Sequence, residues 1–343
     1  ERGNVEVRTV TVVTSVLDRT LVCEPVLQPR IWGGRRLEML DKQLPPGEEI
    51  GESWEVADIP QGCSSIADGP LAGLKLREVM QRHGGGLVPG ARRGEFPLLV
   101  KFLDAQDDIS IQVHPDADLC ERLYSAERSK NETWLIVHVE PGGAVLHGVR
   151  EGVALDEVCA RISDGSIMQV MRRIEVSPGD VIHLPAGTLH ALLRGVMLLE
   201  VQEPSDSTFR VYDHDRLGQD RRPRQLHIDQ ALRSLHMQQA AAALITSEAE
   251  RLEWGLREPL IDIPAYRVER LTLTGAMPWR GREAAPSVLV VLDGELAATW
   301  PGAGATYTRG ESLIVPPGVR DTTFAPAGSR CTVVCASAHS RQR

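Results

Sequence analysis

A chain of 343 residues, 42% hydrophobic and 25% charged, carries enough apolar material for a sizeable core and about two domains. Its formal charge is −9, from 38 basic and 47 acidic residues, which speaks against a nucleic-acid partner but leaves room for a local cationic site for one small anion. No stretch approaches the roughly 18 consecutive apolar residues of a membrane helix, and no basic segment with an apolar core follows Glu1. Neither a membrane partner nor a secretory signal is expected. Six cysteines without a CxxC or Cys-His box fit reduced thiols in a cytoplasmic protein.

In chain order, residues 1–20 read as a β-rich lead-in, through the alternation Val5-Glu6-Val7-Arg8-Thr9-Val10. A loop-rich stretch around Arg30-Ile31-Trp32-Gly33-Gly34 precedes a strand at Gly51-Glu52-Ser53-Trp54-Glu55-Val56. The spacing of Leu71, Leu74, Leu76 and Val79 predicts an amphipathic helix over 71–83, with Gly84-Gly85-Gly86 ending it. From Phe96 onward the pattern changes to short apolar runs between Gly, Pro and Asp turns, as in Leu98-Leu99-Val100, Ile109 to Val113, Trp134 to Val137, Val181 to Leu184 and Val196 to Leu199. Helical interruptions are predicted at 155–172 and 226–246, and strands resume from Tyr266 to Ala336. The class is mostly β, as an antiparallel sandwich or barrel.

The second β block echoes the first. Pro178 through His190 matches Arg309 through Asp321: a Gly-acid turn, a four-residue apolar strand, then a Pro-x-Gly turn. Trp134-Leu135-Ile136-Val137 has its counterpart in Val288-Leu289-Val290-Val291. The first copy ends on His190 and the second on Asp321, so of two duplicated barrels only the first is chemically equipped. The expected division is a catalytic domain over 1–240 and a degenerate β domain over 241–343.

Gln112 and His114 stand two apart in a strand and project to one face. With Glu132 at the head of the next strand and His190 after the Gly187 turn, they form an N/O ligand set that suits a catalytic divalent metal with open positions. Either histidine alone is more often a satisfied core residue; on three strand-like segments together the balance reverses. Lys101, Lys130, Arg210 and Arg216 lie near these ligands in sequence, and cations gathered there could bind phosphate or hold charge on a reacting oxygen. Trp32 and Trp54 default to core residues, though either can wall a sugar pocket.

These residues resemble the type I mannose-6-phosphate isomerases in their short bacterial form. The matching stretches are Arg30-Ile31-Trp32-Gly33-Gly34, Gly51-Glu52-Ser53-Trp54-Glu55, Phe96 through Lys101, Ser110 through Pro115, Lys130 through Trp134, Pro185 through Ala191 and Ser205 through Arg216. They run in the family's order over residues 28–230, and the C-terminal third matches only loosely. The resemblance implies two cupin-type jelly-roll barrels with an inserted or connecting helical segment, and one zinc ion per chain on Gln112, His114, Glu132 and His190. It places Ser110, Lys101, Lys130, Arg210 and Arg216 in a sugar-phosphate pocket, and gives Lys130, Arg210 and Lys101 catalytic parts. The implied reaction interconverts mannose 6-phosphate and fructose 6-phosphate. One departure is Phe209, where the family commonly has Tyr.

Aldose–ketose isomerisation creates an enediolate, which a metal with two free positions stabilises, and moves a proton between adjacent carbons. Lys130, Glu200, Glu203 and Asp213 are candidates for the base, and the sequence leaves them open, as it does the oligomeric state. Rival readings are an isomerase of another sugar phosphate such as glucose 6-phosphate, a metal-cupin dioxygenase, and a non-catalytic sugar-binding cupin. Gln112 in place of an imidazole speaks against the second, and the lysines beside the ligand set against the third.

Overall fold

The computed structural model describes residues 16–90, 94–218, 220–237, 244–280 and 285–339. The predicted lead-in falls largely outside them, and the first strand is Leu21–Glu24.

Two antiparallel sheets face each other over residues 26–212. The larger has six strands in the order Val181–Leu184, Glu132–Val139, Val196–Gln202, Leu99–Ala105, Ile50–Val56 and Val26–Gly34. The smaller has five: Met171–Glu175, Ala144–Val149, His190–Leu192, Ile111–Val113 and Phe209–Tyr212. Trp134, Ile136, Leu198, Val145 and Leu192 pack between them. The alternate residues Leu135, Leu199 and Val201 point the other way, into a core shared with Tyr266, Val268 and Val290. Its strands therefore read as continuous apolar runs because both faces of the six-stranded sheet are covered.

That second cover is an eight-stranded sheet built mostly from the C-terminal third. It also takes in Leu21–Glu24 and Ser65–Ile66 at one edge, with Leu21 paired to Ile314. A four-stranded sheet closes over its far face around Leu289, Leu313, Phe324 and Val333. The architecture is thus mostly β, two cupin-type barrels with helices confined to connections.

The helices differ from the sequence expectation in their limits. The first runs Leu76–Leu87, straight through the three glycines. Leu76, Val79, Met80 and Leu87 are all buried on its core face. Burying such side chains contributes roughly 1.5–3 kcal/mol each, which outweighs about 1 kcal/mol lost per glycine. The stretch 155–172 breaks into Leu155–Ser163 and a 3-10 turn at Ile167–Val170, with Gly165 between them at φ +74°. Only Ile228–Ser234 is helical in the predicted 226–246 segment. Leu244 instead bridges to Ile182, where Ile245 donates to the Val181 carbonyl; residues 238–243 lie outside the described residues.

The repeat is real in three dimensions, with a one-residue correction. Leu184 pairs with Glu132 and Ile182 with Trp134. In the second barrel Val315 pairs with Ser287 and Leu313 with Leu289. Gly179 donates to Ile136 as Gly310 does to Val291, both glycines at positive φ. The counterpart of Trp134 is therefore Leu289 rather than Val288. A shift of one residue exchanges the faces of a strand, so apolar content alone aligns such a run only to within one position.

Candidate metal centre and substrate cleft

The site lies between two rows of side chains on facing sheets. In the five-stranded sheet His147, His190, Gln112 and Arg210 stand in register across four adjacent strands. In the six-stranded sheet Trp134, Glu200, Lys101 and Trp54 do the same, and Glu132 lies two residues before Trp134 on the same face. His114 follows directly after the Ile111–Val113 strand, where Pro115 ends the pairing.

His114, Glu132 and His190 are buried and bring one ligand atom each to within 4.8 Å of one another. His114 Nε2 is 3.3 Å from Glu132 Oε1, and His190 Nε2 is 3.4 Å from Oε2. Each imidazole donates its Nδ1 proton to a backbone carbonyl, His114 to Ser207 at 2.7 Å and His190 to Thr188 at 2.8 Å. In the neutral ring that fixes the tautomer and turns both Nε2 lone pairs toward the carboxylate. Burial, ahead of the Lys130 charge, pushes His114 down to about 3, and burial likewise lowers His190, so both rings are neutral near pH 7. Two lone pairs facing a carboxylate repel unless a cation joins them. Glu132 Oε2, deeply buried, accepts no hydrogen bond among the described residues. Burial alone would raise Glu132; the Lys130 ammonium at 2.7 Å overcomes it and holds the carboxyl well below its usual range. The donor set therefore fits a divalent metal. Gln112 adjoins it, its Nε2 3.4 Å from His190 Nε2 and its Oε1 accepting from Ser110 Oγ at 3.4 Å. Turning the amide end for end would present Oε1 to the same centre.

A cleft of about 360 Å³ opens beside the cluster. Of the residues expected from sequence, Lys101, Ser110, Gln112, Lys130, Glu132 and Arg210 line it. Lys130 Nζ sits 2.7 Å from Glu132 Oε1 and 3.5 Å from His114 Nε2. Lys101 lies between two carboxylates, 2.9 Å from Glu200 and 3.6 Å from Glu52. Burial lowers the Lys101 pKa, but Glu200 and Glu52 outweigh it and keep the ammonium charged. Arg216 stands apart from the lining, ion-paired to Asp213 at 3.1 Å.

Several lining residues escaped the sequence reading: Arg30, Glu52, Trp134, Asp206, Thr208 and Arg224. Arg30 donates to Glu52 at 2.9 Å, and Trp54 Nε1 donates to the other Glu52 oxygen at 2.5 Å, which seats the carboxylate under Lys101. Alternation could have found Glu52, two residues before Trp54; the distant Arg30 and Arg224 gave no such signal. Trp32 lines the cleft, whereas Trp54 is a core residue beside the Lys101 ammonium. Among the four base candidates, Glu203 accepts from Ser129 and from both the backbone and side chain of Asn131, a structural role. Asp213 is held down, against burial, by Arg224 and Arg216. Burial, with the Glu132 charge adding to it, pushes Glu200 up despite Lys101, and Glu200 lines the cleft. His147 shares the row of His190 without joining the cluster. Its Nε2 donates to the His183 carbonyl and its Nδ1 accepts from Arg172.

Fold and site together define a cupin-type protein with one candidate metal centre at the base of an anion-compatible cleft. Comparison with known proteins narrows this. Residues 21–132 match the model of the phosphomannose isomerase type I catalytic domain. The chain is 32% identical over 305 residues to the mannose-6-phosphate isomerase of Streptococcus mutans, covering 89% of this chain and 94% of that one. It is 39% identical over 213 residues to the probable mannose-6-phosphate isomerase GmuF of Bacillus subtilis, covering 62% and 67%. The crystal structure of the mannose 6-phosphate isomerase from Bacillus subtilis superimposes with a TM-score of 0.85 at 29% identity, over 92% of this chain and 99% of that one. The chain belongs to the type I phosphomannose isomerase family, and it is an intramolecular aldose–ketose isomerase of that family.

Proposed function

We propose that the protein interconverts mannose 6-phosphate and fructose 6-phosphate through an enediolate, with one zinc ion held by Gln112, His114, Glu132 and His190. The observation that carries this reading is the pair of Nε2 lone pairs converging on the buried Glu132 carboxylate at the wall of a cleft lined by cations. Bound zinc would polarise the oxygens of the open sugar and lower the cost of the enediolate charge.

The chain's own residues supply the rest. Lys130, at the edge of the ligand set, is placed to move the proton between the two sugar carbons. Glu200, its carboxyl raised by burial and opening on the same cleft, supplies a second acid–base group for ring opening. Lys101 stays an ammonium between Glu52 and Glu200 and holds charge rather than taking protons. Among the described residues the Arg210 guanidinium donates only to the Gln225 carbonyl, and its buried Nε has no partner there, which suits it to an incoming phosphate. Ser110 orients Gln112. Arg216 acts at one remove, through Asp213.

In this reading the chemistry belongs to residues 1–240, and the described residues of 241–343, whose sheet also takes in Leu21–Glu24 and Ser65–Ile66, supply no ligand. Six free cysteines accord with a cytoplasmic setting. Among the described residues no helix is long and apolar enough to cross a membrane. The test is elemental analysis of the purified protein beside a coupled isomerisation assay on the same preparation, with mannose 6-phosphate and glucose 6-phosphate compared. About one zinc per chain, activity on mannose 6-phosphate abolished by chelation and restored by zinc, supports the proposal. Full activity in metal-free protein sinks it.

A further inference from the structure

The cations around the cleft are not equivalent. Arg30 and Lys101 are matched by Glu52 and Glu200, and Lys130 by Glu132. At the other end Arg210, Arg216 and Arg224 have a single carboxylate among them, Asp213. Arg216 Nη2 reaches Asp213 Oδ1 at 3.1 Å, while Arg224 grips both oxygens, with Nε 2.7 Å from Oδ2 and Nη2 on Oδ1. Arg210 makes no ion pair among the described residues, and its Nε is buried without a partner. Arg210 and Arg224 both line the cleft; Asp213 and Arg216 stand behind them. Arg216 and Arg224 share one carboxylate and Arg210 has none, so this end of the cleft is positive and suits a phosphate monoester, while Asp206, the remaining carboxylate of the lining, bears on Arg30 and Lys101.

We infer that Arg224 is a second phosphate-binding arginine of the cleft, and that Asp213 is the positioning residue that fixes it beside Arg210. The inference rests on the sugar-phosphate reading above and adds to it the residue and the charge arrangement that select a dianion. A bidentate carboxylate–guanidinium pair holds the planar fork in one orientation, so that the outer N–H groups face the cleft at little further entropic cost. The mutual repulsion of the three cations fits this. Burial, followed by the Arg224 charge, lowers the Arg210 pKa, so a bound dianion relieves a strain that the free protein carries. Arg224 is far from the candidate ligands in sequence and lies two residues past Arg222, whose carbonyl accepts from the Gly218 N–H.

The experiment uses full-length protein with its metal content measured, and two probes: inorganic phosphate by calorimetry, and mannose 6-phosphate by steady-state kinetics. Arg224→Ala should weaken phosphate binding and raise KM for the sugar phosphate by about 10- to 100-fold, the range for one lost charge-assisted hydrogen-bonding group, with kcat within about threefold. Arg224→Lys, which keeps the charge but not the fork, should fall between and confirms that orientation matters. Asp213→Asn separates positioning from plain charge by sign. Removing a negative charge alone would tighten phosphate binding, whereas loss of positioning weakens it and raises KM. Wild-type phosphate affinity and KM in Arg224→Ala would overturn the assignment, and tighter phosphate binding in Asp213→Asn would overturn the positioning role. If wild-type protein binds phosphate but turns over no mannose 6-phosphate, the isomerase reading falls, while the loss of phosphate binding in Arg224→Ala still upholds this one.

Discussion

The two barrels share a hairpin register and differ in what it carries. Opposite Leu184 the first barrel has Glu132, and opposite Val315 the second has Ser287. After the Pro-x-Gly turn the first has His190, which begins a strand, and the second has Asp321, at φ +54° outside any strand. Ser287 satisfies itself against Ser337 at 2.8 Å, and the surrounding core is Leu, Val and Phe. The fold therefore depends on alternation and turns, which both copies keep, while the chemistry depends on a few polar positions that change without disturbing it. The second barrel still packs on the first: its Tyr266 hydroxyl meets Thr133, the residue after Glu132, at 3.0 Å, and its sheet covers the outer face of the first barrel.

The strongest way to break this comparison is to remove a ligand from the first barrel. His190→Ala should lose metal and activity together, with kcat falling by about a thousandfold or more, since a metal supplies several kcal/mol to such a reaction. Stoichiometric metal and normal turnover in that variant would mean that the centre lies elsewhere. Lys130→Ala comes next. It should lower kcat by about 10²- to 10⁴-fold, with a smaller change in KM and metal content preserved; an unchanged kcat removes the lysine from proton transfer.

A third prediction concerns acid. Burial raises the Glu52 pKa, but Lys101, Arg30 and the hydrogen bonds from Arg30 and Trp54 outweigh it and bring the carboxyl down to about 2. A carboxylate depressed on folding contributes stability that is complete above its unfolded pKa and is lost as pH falls through the folded value. Wild-type protein should therefore be more stable than Glu52→Gln above about pH 4.5, with the difference vanishing toward pH 2 in chemical denaturation. A difference independent of pH would show that the buried ion pairs of the first barrel do not hold it together. The smallest effect belongs to the second barrel. Ser287→Ala should cost about 1 kcal/mol for the lost hydrogen bond and leave kcat/KM unaltered; a large loss of activity would mean that the second barrel takes part in the chemistry.

The residues of the candidate centre were legible because strand alternation and turn chemistry are local. Gln112 and His114, Lys130 and Glu132, and the Pro-Ala-Gly turn before His190 are each short-range patterns, and the repeat of that turn exposed the second barrel. The same locality misled at Gly84-Gly85-Gly86, where helix propensity is weak but Leu87 has a core to enter. It also misplaced by one residue the repeat partner of Trp134, since a run of Val and Leu offers nothing to set its phase.

By itself the sequence pointed to the β class, the duplicated hairpin, the family, and a four-residue set of which the structure gathers His114, Glu132 and His190. Only the tertiary structure decided which charges cancel. Lys101, Arg30, Arg210, Arg216 and Arg224 look alike along the chain, yet two of them pair with Glu52 and Glu200, Arg216 and Arg224 share Asp213, and Arg210 makes no ion pair among the described residues. Ion pairing depends on distances of about 3–4 Å between side chains brought together by sheet register, and Coulomb interactions inside a buried cleft change several-fold over such distances and surroundings. That information is absent from any window of neighbouring residues.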